Sequence, residues 1–223
     1  MRPLRLAIPK GSLYEESITL LEAAGFDVLN LRDPGRQLVI AAEELEYYIV
    51  RPTDAPVFAA YGGVDCALCG RDSLLEAGLE LVELADLGYG ACRFVVAEPA
   101  WAKDRAEDTY ARLGVLRVAT KYPRVTATYY ESIGVQVEIV KLYGNIELAP
   151  LCGMADRIVD ITATGRTLRE NNLVIIDEIL TSTARFVGNP ASVRTDPRVR
   201  CLAERLTASN PYQNPRQDPY PNP

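Results

Sequence analysis

The sequence predicts an α/β fold in which mainly parallel sheets are flanked by helices. Segments typical of strands alternate with segments typical of helices along most of the chain, and this alternation favours parallel strands. Val64–Cys69 is a continuous apolar run, as in strands that are buried on both faces. The 223 residues are 48% hydrophobic and 24% charged, which is typical of a globular protein and excludes fibrous or wholly disordered classes.

The first half of the chain begins with an apolar strand at Leu4–Ile8. Ser12 and Glu15 have the spacing of a capping box, which predicts a helix that begins at Ser12, and Gly25 is placed to end it. The elements predicted next are strands at Phe26–Leu31 and Gln37–Ala42 around the turn Asp33-Pro34-Gly35, a helix from Thr53 to Tyr61, the strand Val64–Cys69, a helix at Arg71–Glu76 and a strand at Leu79–Leu84.

The second half repeats the same alternation with short loops. Its predicted elements are strand Arg93–Ala97, helix Lys103–Leu113, strand Val115–Thr120, helix Pro123–Ser132, strand Gln136–Val140, helix Gly144–Leu151 and strand Arg157–Ile161. Leu173–Val187 is strand-like with a turn or crossover inside it, and a helix is expected at Asp196–Leu206. Residues 207–223 contain five prolines, which predicts a disordered tail.

Composition excludes several classes of function. The chain has no His, which removes Ser-His-Asp and Cys-His nucleophiles and every imidazole metal site. Acidic residues outnumber basic ones by 30 to 24, so we expect no nucleic-acid partner. No window approaches 18 continuous apolar residues and the first apolar run is too short for a signal peptide, so we expect a cytoplasmic protein without a membrane partner.

The five cysteines do not indicate a metal or redox centre. Cys66 and Cys69 form a C-x-x-C pair, but they lie inside an apolar run and no second pair or His could complete a zinc site. The favoured interpretation is therefore buried strand thiols.

The most informative motif is the segment Arg157–Asn171, R-I-V-D-I-T-A-T-G-R-T-L-R-E-N. A strand ends near Ile161, small and hydroxyl residues form a turn, and a helix begins near Thr167. This order places free backbone N–H groups and a helix N-terminus around one point, as in phosphate sites. Asp156 and Asp160 are four apart on one strand and could accept hydrogen bonds from sugar hydroxyls or hold a hydrated cation. An ordinary βα loop with an ordinary helix cap explains the same residues.

This segment resembles the phosphoribosyl pyrophosphate (PRPP) site of ATP phosphoribosyltransferase, the enzyme that opens histidine biosynthesis. The resemblance covers nearly all of residues 4–206 in six ordered blocks. The blocks are Leu4–Leu13, Val50–Leu74, Asp86–Ala97, Arg117–Val125, Leu142–Leu173 and Ser182–Ser192.

The resemblance implies a fold of two α/β lobes similar to type II periplasmic binding proteins, with the active site in the cleft. It implies a discontinuous lobe I at residues 1–90 and about 177–206, a lobe II at residues 91–176 that carries the PRPP loop, and the tail at residues 207–223. The implied reaction joins N1 of the adenine of ATP to C1 of the ribose of PRPP and releases pyrophosphate, with Mg²⁺ on the phosphates.

The resemblance also assigns roles residue by residue. Arg51, in R-P-x-D-x-P, is expected to act on the pyrophosphate, and Arg32 is a weaker candidate for the same role. A surface ion pair between Arg51 and Asp54 is the alternative. The expected substrate-binding residues are Asp160, Thr162, Ala163, Thr164, Gly165, Arg166, Thr167, Glu147, Lys10, Gly11 and Asp72, with Asp160 also a weak metal ligand.

Some of these assignments have plain alternatives. Lys10 could be a solvated side chain, while capping and ion pairing explain Asp72 and Lys121 about as well as substrate contact does. Glu147 is expected one turn into a helix, where it would orient the ribose or the metal. Asn145 stands where family members commonly have Ser, which puts a hydroxyl role there in doubt.

The chain ends about where the two catalytic lobes end, so it resembles the short form of the family. That form assembles with a regulatory subunit related to histidyl-tRNA synthetase, and we expect a homodimer within a hetero-oligomer. Two other functions stay open: another phosphoribosyltransferase, which usually has two adjacent acids before its loop, and a non-catalytic bilobed protein that binds a small molecule. Here Val159 precedes Asp160.

Overall fold

The computed structural model describes residues 2–102 and 105–213 and divides into two compact units. Unit 1 comprises Met1–Gly90 and the chain from Thr183 onward, and unit 2 is Ala91–Ser182. The second boundary lies later than the position near residue 176 suggested by the sequence. The reason is that the strand ending at Ser182 stays paired with the first strand of unit 2 as far as Cys92.

Unit 1 is a six-stranded sheet with helices on its faces, in the strand order β2-β3-β1-β4-β11-β5. Its strands are β1 (Leu4–Pro9), β2 (Val39–Ala41), β3 (Leu45–Val50), β4 (Cys66–Gly70), β5 (Val82–Asp86) and β11 (Ala184–Gly188). Its helices are α1 (Tyr14–Ala23), α2 (Leu29–Arg32), α3 (Ala55–Ala60), α4 (Arg71–Ala77), α9 (Pro190–Thr195) and α10 (Pro197–Ala208).

Unit 2 is built around a five-stranded sheet in the order β10-β6-β9-β7-β8. Its strands are β6 (Cys92–Pro99), β7 (Leu116–Thr120), β8 (Val137–Lys141), β9 (Arg157–Thr162) and β10 (Leu173–Ser182). Its helices are α5 (Arg105–Leu113), α6 (Pro123–Ser132), α7 (Leu148–Leu151) and α8 (Arg166–Glu170).

The α/β class is confirmed, and both sheets are mixed. In unit 1 the parallel strands β3, β1 and β4 are adjacent, whereas β2, β11 and β5 run antiparallel to their neighbours. In unit 2 the strands β9, β7 and β8 are parallel. Strand β6 pairs antiparallel with β9, and β10 pairs antiparallel with β6. The βαβ units therefore form the parallel part of each sheet, which is central in unit 1 and lies on one side of the sheet in unit 2. The segments that carry the chain between the units, β5 with β6 and β10 with β11, supply antiparallel strands.

The most apolar strands lie in the core. Every residue of β4 is buried, in agreement with its continuous apolar sequence. Cys66 and Cys69 lie in this strand as buried free thiols, and burial raises the pKa of both. They are thus apolar packing groups, as the sequence suggested.

Two local predictions in unit 1 are wrong, and one strand was not predicted. The segment predicted as a strand at Phe26–Leu31 contains α2, because the Asp27 carboxylate accepts the N–H of Leu29 and starts a helical turn. Strand β3 was not predicted, although its residues alternate between buried and half-buried. The capping box does not form: α1 begins at Tyr14, and its N-cap Leu13 offers no side-chain hydrogen bond.

The predicted tail is ordered at its start. Helix α10 extends to Ala208, and the Tyr212 ring packs 5.2 Å from the Tyr89 ring, measured between centroids. The Asn210 side chain donates to the Leu87 carbonyl at 2.9 Å. These contacts fix residues 207–213 on unit 1, and the remainder of the predicted tail lies outside the described residues. None of the helices in the described ranges combines the length and apolar character that a bilayer span requires.

Candidate functional site

In unit 2 the predicted residues meet where the parallel strands end. Thr120, the last residue of β7, is aligned with Lys141 of β8 and Val159 of β9. Lys121, which follows β7, therefore lies level with Asp160 of the neighbouring strand β9. The loop Ala163–Gly165 follows β9 directly. Ligands of α/β sheets bind at such carboxyl ends. Lys121, Glu147, Asp160 and the segment Thr162–Thr167 are called the unit 2 edge below.

The loop after β9 holds backbone donors ready for an anion. Gly165 has a φ of 68°, which turns the chain into α8. Its N–H donates a hydrogen bond to Thr162 Oγ1 at 2.8 Å. The N–H groups of Ala163, Thr164 and Thr167 have no hydrogen-bond acceptor among the described residues. Because these three residues are also exposed, their donors are available to a phosphate.

Arg169, which the sequence motif did not single out, braces this loop. Its Nη1 donates to the Thr164 carbonyl at 2.9 Å, across the base of the turn. The signal that could have found it is the spacing of Arg166 and Arg169 on one short helix. Arg166, a predicted ligand, instead pairs with Glu170 at 2.7 Å and remains exposed.

Asp160 is an unusual carboxyl group. Its pKa is raised from the ordinary value to about 6, chiefly because burial disfavours the charged form. The N–H of Ile161, which donates to Asp160 Oδ1 at 2.9 Å, and the positive charge of Lys121 act in the opposite direction, whereas the negative charge of Glu147 raises the pKa further. Lys121, Glu147 and Asp160 thus interact electrostatically, although Lys121 was only weakly favoured as a site residue.

Two carboxylates are placed differently from the expectation. Glu147 is the N-cap residue of α7, because this helix is one short turn and begins at Leu148 rather than at Gly144. Asp156 precedes β9 and accepts the N–H of Arg117 at 2.8 Å. It therefore lies at the amino end of the strand that carries Asp160 at its carboxyl end, and the two do not form a pair.

The donor set fits a divalent cation that is held mainly by substrate oxygens. No group of three or more Cys, Asp or Glu side chains able to hold a metal occurs in the described ranges. Asp160 and Glu147 interact at the unit 2 edge and offer carboxylate oxygens. One or two carboxylates combined with substrate phosphates is the usual arrangement for Mg²⁺ in proteins.

In unit 1 a second group of predicted residues also lies at the carboxyl ends of parallel strands. Pro9 of β1 is aligned with Val50 of β3, and the Lys10 N–H donates to the Val50 carbonyl at 2.8 Å. Lys10 and Arg51 are therefore level, and β4, on the other side of β1, ends just before α4, which carries Asp72. Lys10, Gly11, Arg51 and Asp72 are called the unit 1 edge below.

Arg51 is free to meet a ligand. Its side chain is exposed, and the ion pairs of the described residues do not include it, so the alternative pairing with Asp54 does not occur. The Arg51 carbonyl instead accepts the N–H groups of Asp54 and Ala55, which starts α3. The backbone thus fixes the position of Arg51 while its guanidinium stays in solvent.

Asp72 and Arg32, two further charged candidates of unit 1, have local partners. The Asp72 carboxylate folds over Gly70, where a Cβ would collide with it, and accepts the Ser73 hydroxyl at 3.3 Å. Arg32 pairs with Glu22 at 2.6 Å, near the end of α1. This geometry favours a structural role for Asp72 and does not place the Arg32 guanidinium beside Arg51.

The family model described as ATP phosphoribosyltransferase matches residues 51–208. ATP phosphoribosyltransferase of Rubrobacter xylanophilus is 47% identical, with 87% of this chain and 90% of that protein aligned. The Moorella thermoacetica enzyme of the same name is 48% identical over 87% of each chain.

Solved structures agree with the sequence relatives. The ATP phosphoribosyl transferase (HisG:HisZ) complex from Thermotoga maritima contains a chain with a TM-score of 0.77 and 38% identity, and the match covers 92% of this chain and 98% of that one. The periplasmic aliphatic sulphonate binding protein SsuA from Escherichia coli matches with a TM-score of 0.58 over 94% of this chain and 73% of that one. At 12% identity this second likeness shows the fold alone, and it confirms the expected similarity to periplasmic binding proteins.

The sequence match spans most of the chain and includes both the Arg51 segment and the loop after β9, so the two alternative functions lose their support. This chain belongs to the ATP phosphoribosyltransferase family, whose reaction is the first step of histidine biosynthesis.

Proposed function

We propose that this chain, as an ATP phosphoribosyltransferase, binds PRPP at the unit 2 edge while the ribose is transferred to N1 of the adenine of ATP. The 5′-phosphate accepts the exposed N–H groups of Ala163, Thr164 and Thr167, and Thr hydroxyls add further donors. Asp160 is placed two residues before Thr162, where the loop begins, and accepts hydrogen bonds from the ribose hydroxyls. The single observation that carries the proposal is the set of unpartnered donors on the described loop next to a carboxyl group of raised pKa.

The residues present suit this reaction because it needs no strong base. The adenine nitrogen is itself the nucleophile, which agrees with a chain that has no His. As the bond between C1 and the pyrophosphate breaks, positive charge develops on the ribose and negative charge on the leaving group. Arg51, with Lys10 and the turn at Gly11, is proposed to stabilise the departing pyrophosphate. The rest of the rate acceleration comes from holding N1 of the adenine close to C1 of the ribose.

The family requires a divalent metal, and we propose that it is Mg²⁺. When bound, the cation neutralises charge on the pyrophosphate oxygens. Asp160 and Glu147 are the side chains of the unit 2 edge that would hold it, either directly or through water.

We further propose that the chain works with a HisZ-type regulatory subunit, since its relative from Thermotoga maritima is part of a HisG:HisZ complex. By this proposal the isolated chain is a cytoplasmic homodimer with little sensitivity to histidine. The regulatory subunit then raises its activity and confers inhibition by histidine, because allostery needs a second site whose contacts differ between two states.

The test is formation of phosphoribosyl-ATP from ATP and PRPP by the purified chain, with and without the regulatory subunit. The expected result is product in both cases, more of it with the partner, and inhibition by histidine only when the partner is present. Absence of product in both cases would contradict the site assignment. Strong inhibition of the partner-free chain by histidine, at concentrations that do not compete with substrate, would contradict the regulatory proposal.

A further inference from the structure

A cavity of about 430 Å³ lies in unit 2, and Asp156 is the only described residue of its lining for which the sequence suggested a binding role. It is bounded by the end of β6, helix α5, the start of β7 and the segment after α7. Asp156, which lines it, marks the amino end of β9, so the cavity lies at the opposite edge of the sheet from Asp160. A volume in this range is typical of small-molecule sites.

One wall of the cavity is apolar and unusually exposed. Trp101 is 61% exposed and Leu113 is 60% exposed, and Leu151 completes this wall from the end of α7. An indole at the mouth of a concave site offers a flat surface on which a ring can stack.

The other wall is cationic. Arg105, Thr109 and Arg112 recur at intervals of four and three residues along α5, so they lie on one helix face, and all three line the cavity. The Arg105 guanidinium lies 5.7 Å from the centre of the Trp101 ring. Neither Arg105 nor Arg112 has a carboxylate partner within 4.0 Å in the described part of the chain.

The acidic residues that line the cavity lie beside a different arginine, Arg117. Asp156 accepts the Arg117 N–H and lies 3.9 Å from its guanidinium, and Glu138 is the cross-strand neighbour of Arg117 on β8. Asp108 lies on α5 between Arg105 and Arg112 but forms no ion pair with either. With respect to the described acidic residues, Arg105 and Arg112 therefore remain available beside an aromatic surface.

We propose that this cavity binds a small aromatic anion, with its anionic group on Arg105 and Arg112 and its ring against Trp101. Arginine forms charge-assisted hydrogen bonds with carboxylate, sulfonate or phosphonate oxygens, while the apolar wall takes up the ring. The cavity lies at the amino ends of the parallel strands, whereas the proposed PRPP loop lies at their carboxyl ends. Its occupant and PRPP can therefore bind at the same time. The proposal does not depend on the assignment of substrates to the unit 2 edge.

The chain has a single tryptophan, so the emission of Trp101 reports directly on this cavity. The experiment titrates the whole protein with phenylphosphonate, an aromatic anion, and in parallel with methylphosphonate, which lacks the ring, and benzyl alcohol, which lacks the charge. The expected result is a saturable change in Trp101 emission with phenylphosphonate at millimolar concentration or below, and no saturable change with the other two compounds.

The double variant Arg105→Gln with Arg112→Gln is expected to weaken phenylphosphonate binding by about tenfold or more, since two charged hydrogen-bond donors are lost. The double variant Arg36→Gln with Arg200→Gln removes two exposed arginines of unit 1 and is the charge-matched control, with binding unchanged. Binding that persists in the presence of saturating PRPP separates this site from the unit 2 edge.

Three results would overturn the proposal: no saturable change in Trp101 emission, an equal response to methylphosphonate, or unchanged affinity in the double variant. A change in Trp101 emission that requires the regulatory subunit would also overturn it, because the cavity would then be a protein contact.

Discussion

The unit 1 edge and the unit 2 edge are built alike but offer different chemistry. Each lies at the carboxyl ends of three adjacent parallel strands. At the unit 2 edge the donors are backbone N–H groups on a short loop, which the Thr162 hydroxyl and Arg169 hold in place. At the unit 1 edge the candidate groups are the long side chains of Lys10 and Arg51, and Arg51 is exposed and unpaired in the described part of the chain.

This difference separates recognition from charge stabilisation. Backbone donors on a braced turn select a phosphate by its shape, and they need little reorganisation when the ligand arrives. A free guanidinium follows negative charge as it moves, which is what a departing pyrophosphate requires. We therefore propose that the 5′-phosphate and ribose bind at the unit 2 edge and that Arg51 acts on the leaving group.

The largest effect is expected at Gly165. Gly165→Val places a β-branched residue at a φ of 68° and directs a side chain at Arg169 and Ile175. PRPP binding should be lost, as measured by calorimetric titration. Gly134→Val is the matched control, since Gly134 has a φ of 71° and open space around it. Equal loss of thermal stability in both variants, with unchanged PRPP affinity in Gly165→Val, would disprove the role of the loop.

The next effect concerns the leaving group. Arg51→Ala should lower kcat far more than it raises KM, by about 2 to 4 kcal/mol of transition-state stabilisation. Steady-state kinetics measures both constants, and Arg36→Ala serves as the control for loss of an exposed charge from unit 1. A normal kcat with a raised KM would show that Arg51 acts on substrate binding alone.

A smaller, pH-dependent effect is expected at Asp160. Its pKa of about 6 in the folded chain exceeds the ordinary value of 3.8. Between these two pH values the folded state therefore keeps a proton on Asp160 that the unfolded state has released. Asp160 therefore lowers stability progressively as the pH rises from about 4 to about 6. Asp160→Asn should raise Tm at neutral pH and leave it nearly unchanged near pH 4, as followed by thermal unfolding across this range.

The protonation of Asp160 should also affect PRPP binding. PRPP affinity of the wild-type chain should fall as the pH drops through about 6, because protonated Asp160 has lost acceptor strength. The substrate phosphates titrate in the same region. Asp160→Asn controls for them, because any pH dependence that survives in this variant belongs to the ligand. An identical pH profile in both proteins would exclude Asp160 from ribose binding.

The smallest effect is expected at Thr162. Thr162→Val removes the acceptor of the Gly165 N–H while keeping the side-chain shape. The loop should become less well positioned, and the PRPP dissociation constant should rise about fivefold, the value of one net hydrogen bond. Thr162→Ser keeps the hydroxyl and should restore most of the affinity in the same titration. Failure of Ser to do so would point to packing of the methyl group instead.

The elements with strong local patterns were the most predictable from the sequence. The predicted strand Val64–Cys69 overlaps β4, which is Cys66–Gly70, and the turn after β9 lies where it was predicted, because a continuous apolar run and a cluster of small residues each permit few structures. Helix α2 was not predictable in this way, since the Asp27 side chain decides it. The capping box at Ser12 failed because α1 starts two residues later, beyond Gly11, whose φ is 85°.

The site residues were easier to locate than their partners. The segment Asp160–Thr167 could be chosen from its motif, Lys10 from the turn after the first strand, and Arg51 from the R-P-x-D-x-P segment of the family resemblance. No local signal, however, shows that Arg32 pairs with Glu22 or that Asp72 folds over Gly70. Such contacts depend on the tertiary course of the chain, as does the raised pKa of Asp160, which comes mainly from burial.

The most direct test of this division of roles separates the two halves of PRPP. Ribose 5-phosphate and pyrophosphate are titrated by calorimetry into the wild-type chain, Gly165→Val and Arg51→Ala. We predict that Gly165→Val loses ribose 5-phosphate binding and keeps pyrophosphate binding, whereas Arg51→Ala shows the reverse. Equal loss of both ligands in each variant, or loss of ribose 5-phosphate binding in Arg51→Ala, would contradict the assignment of the two edges.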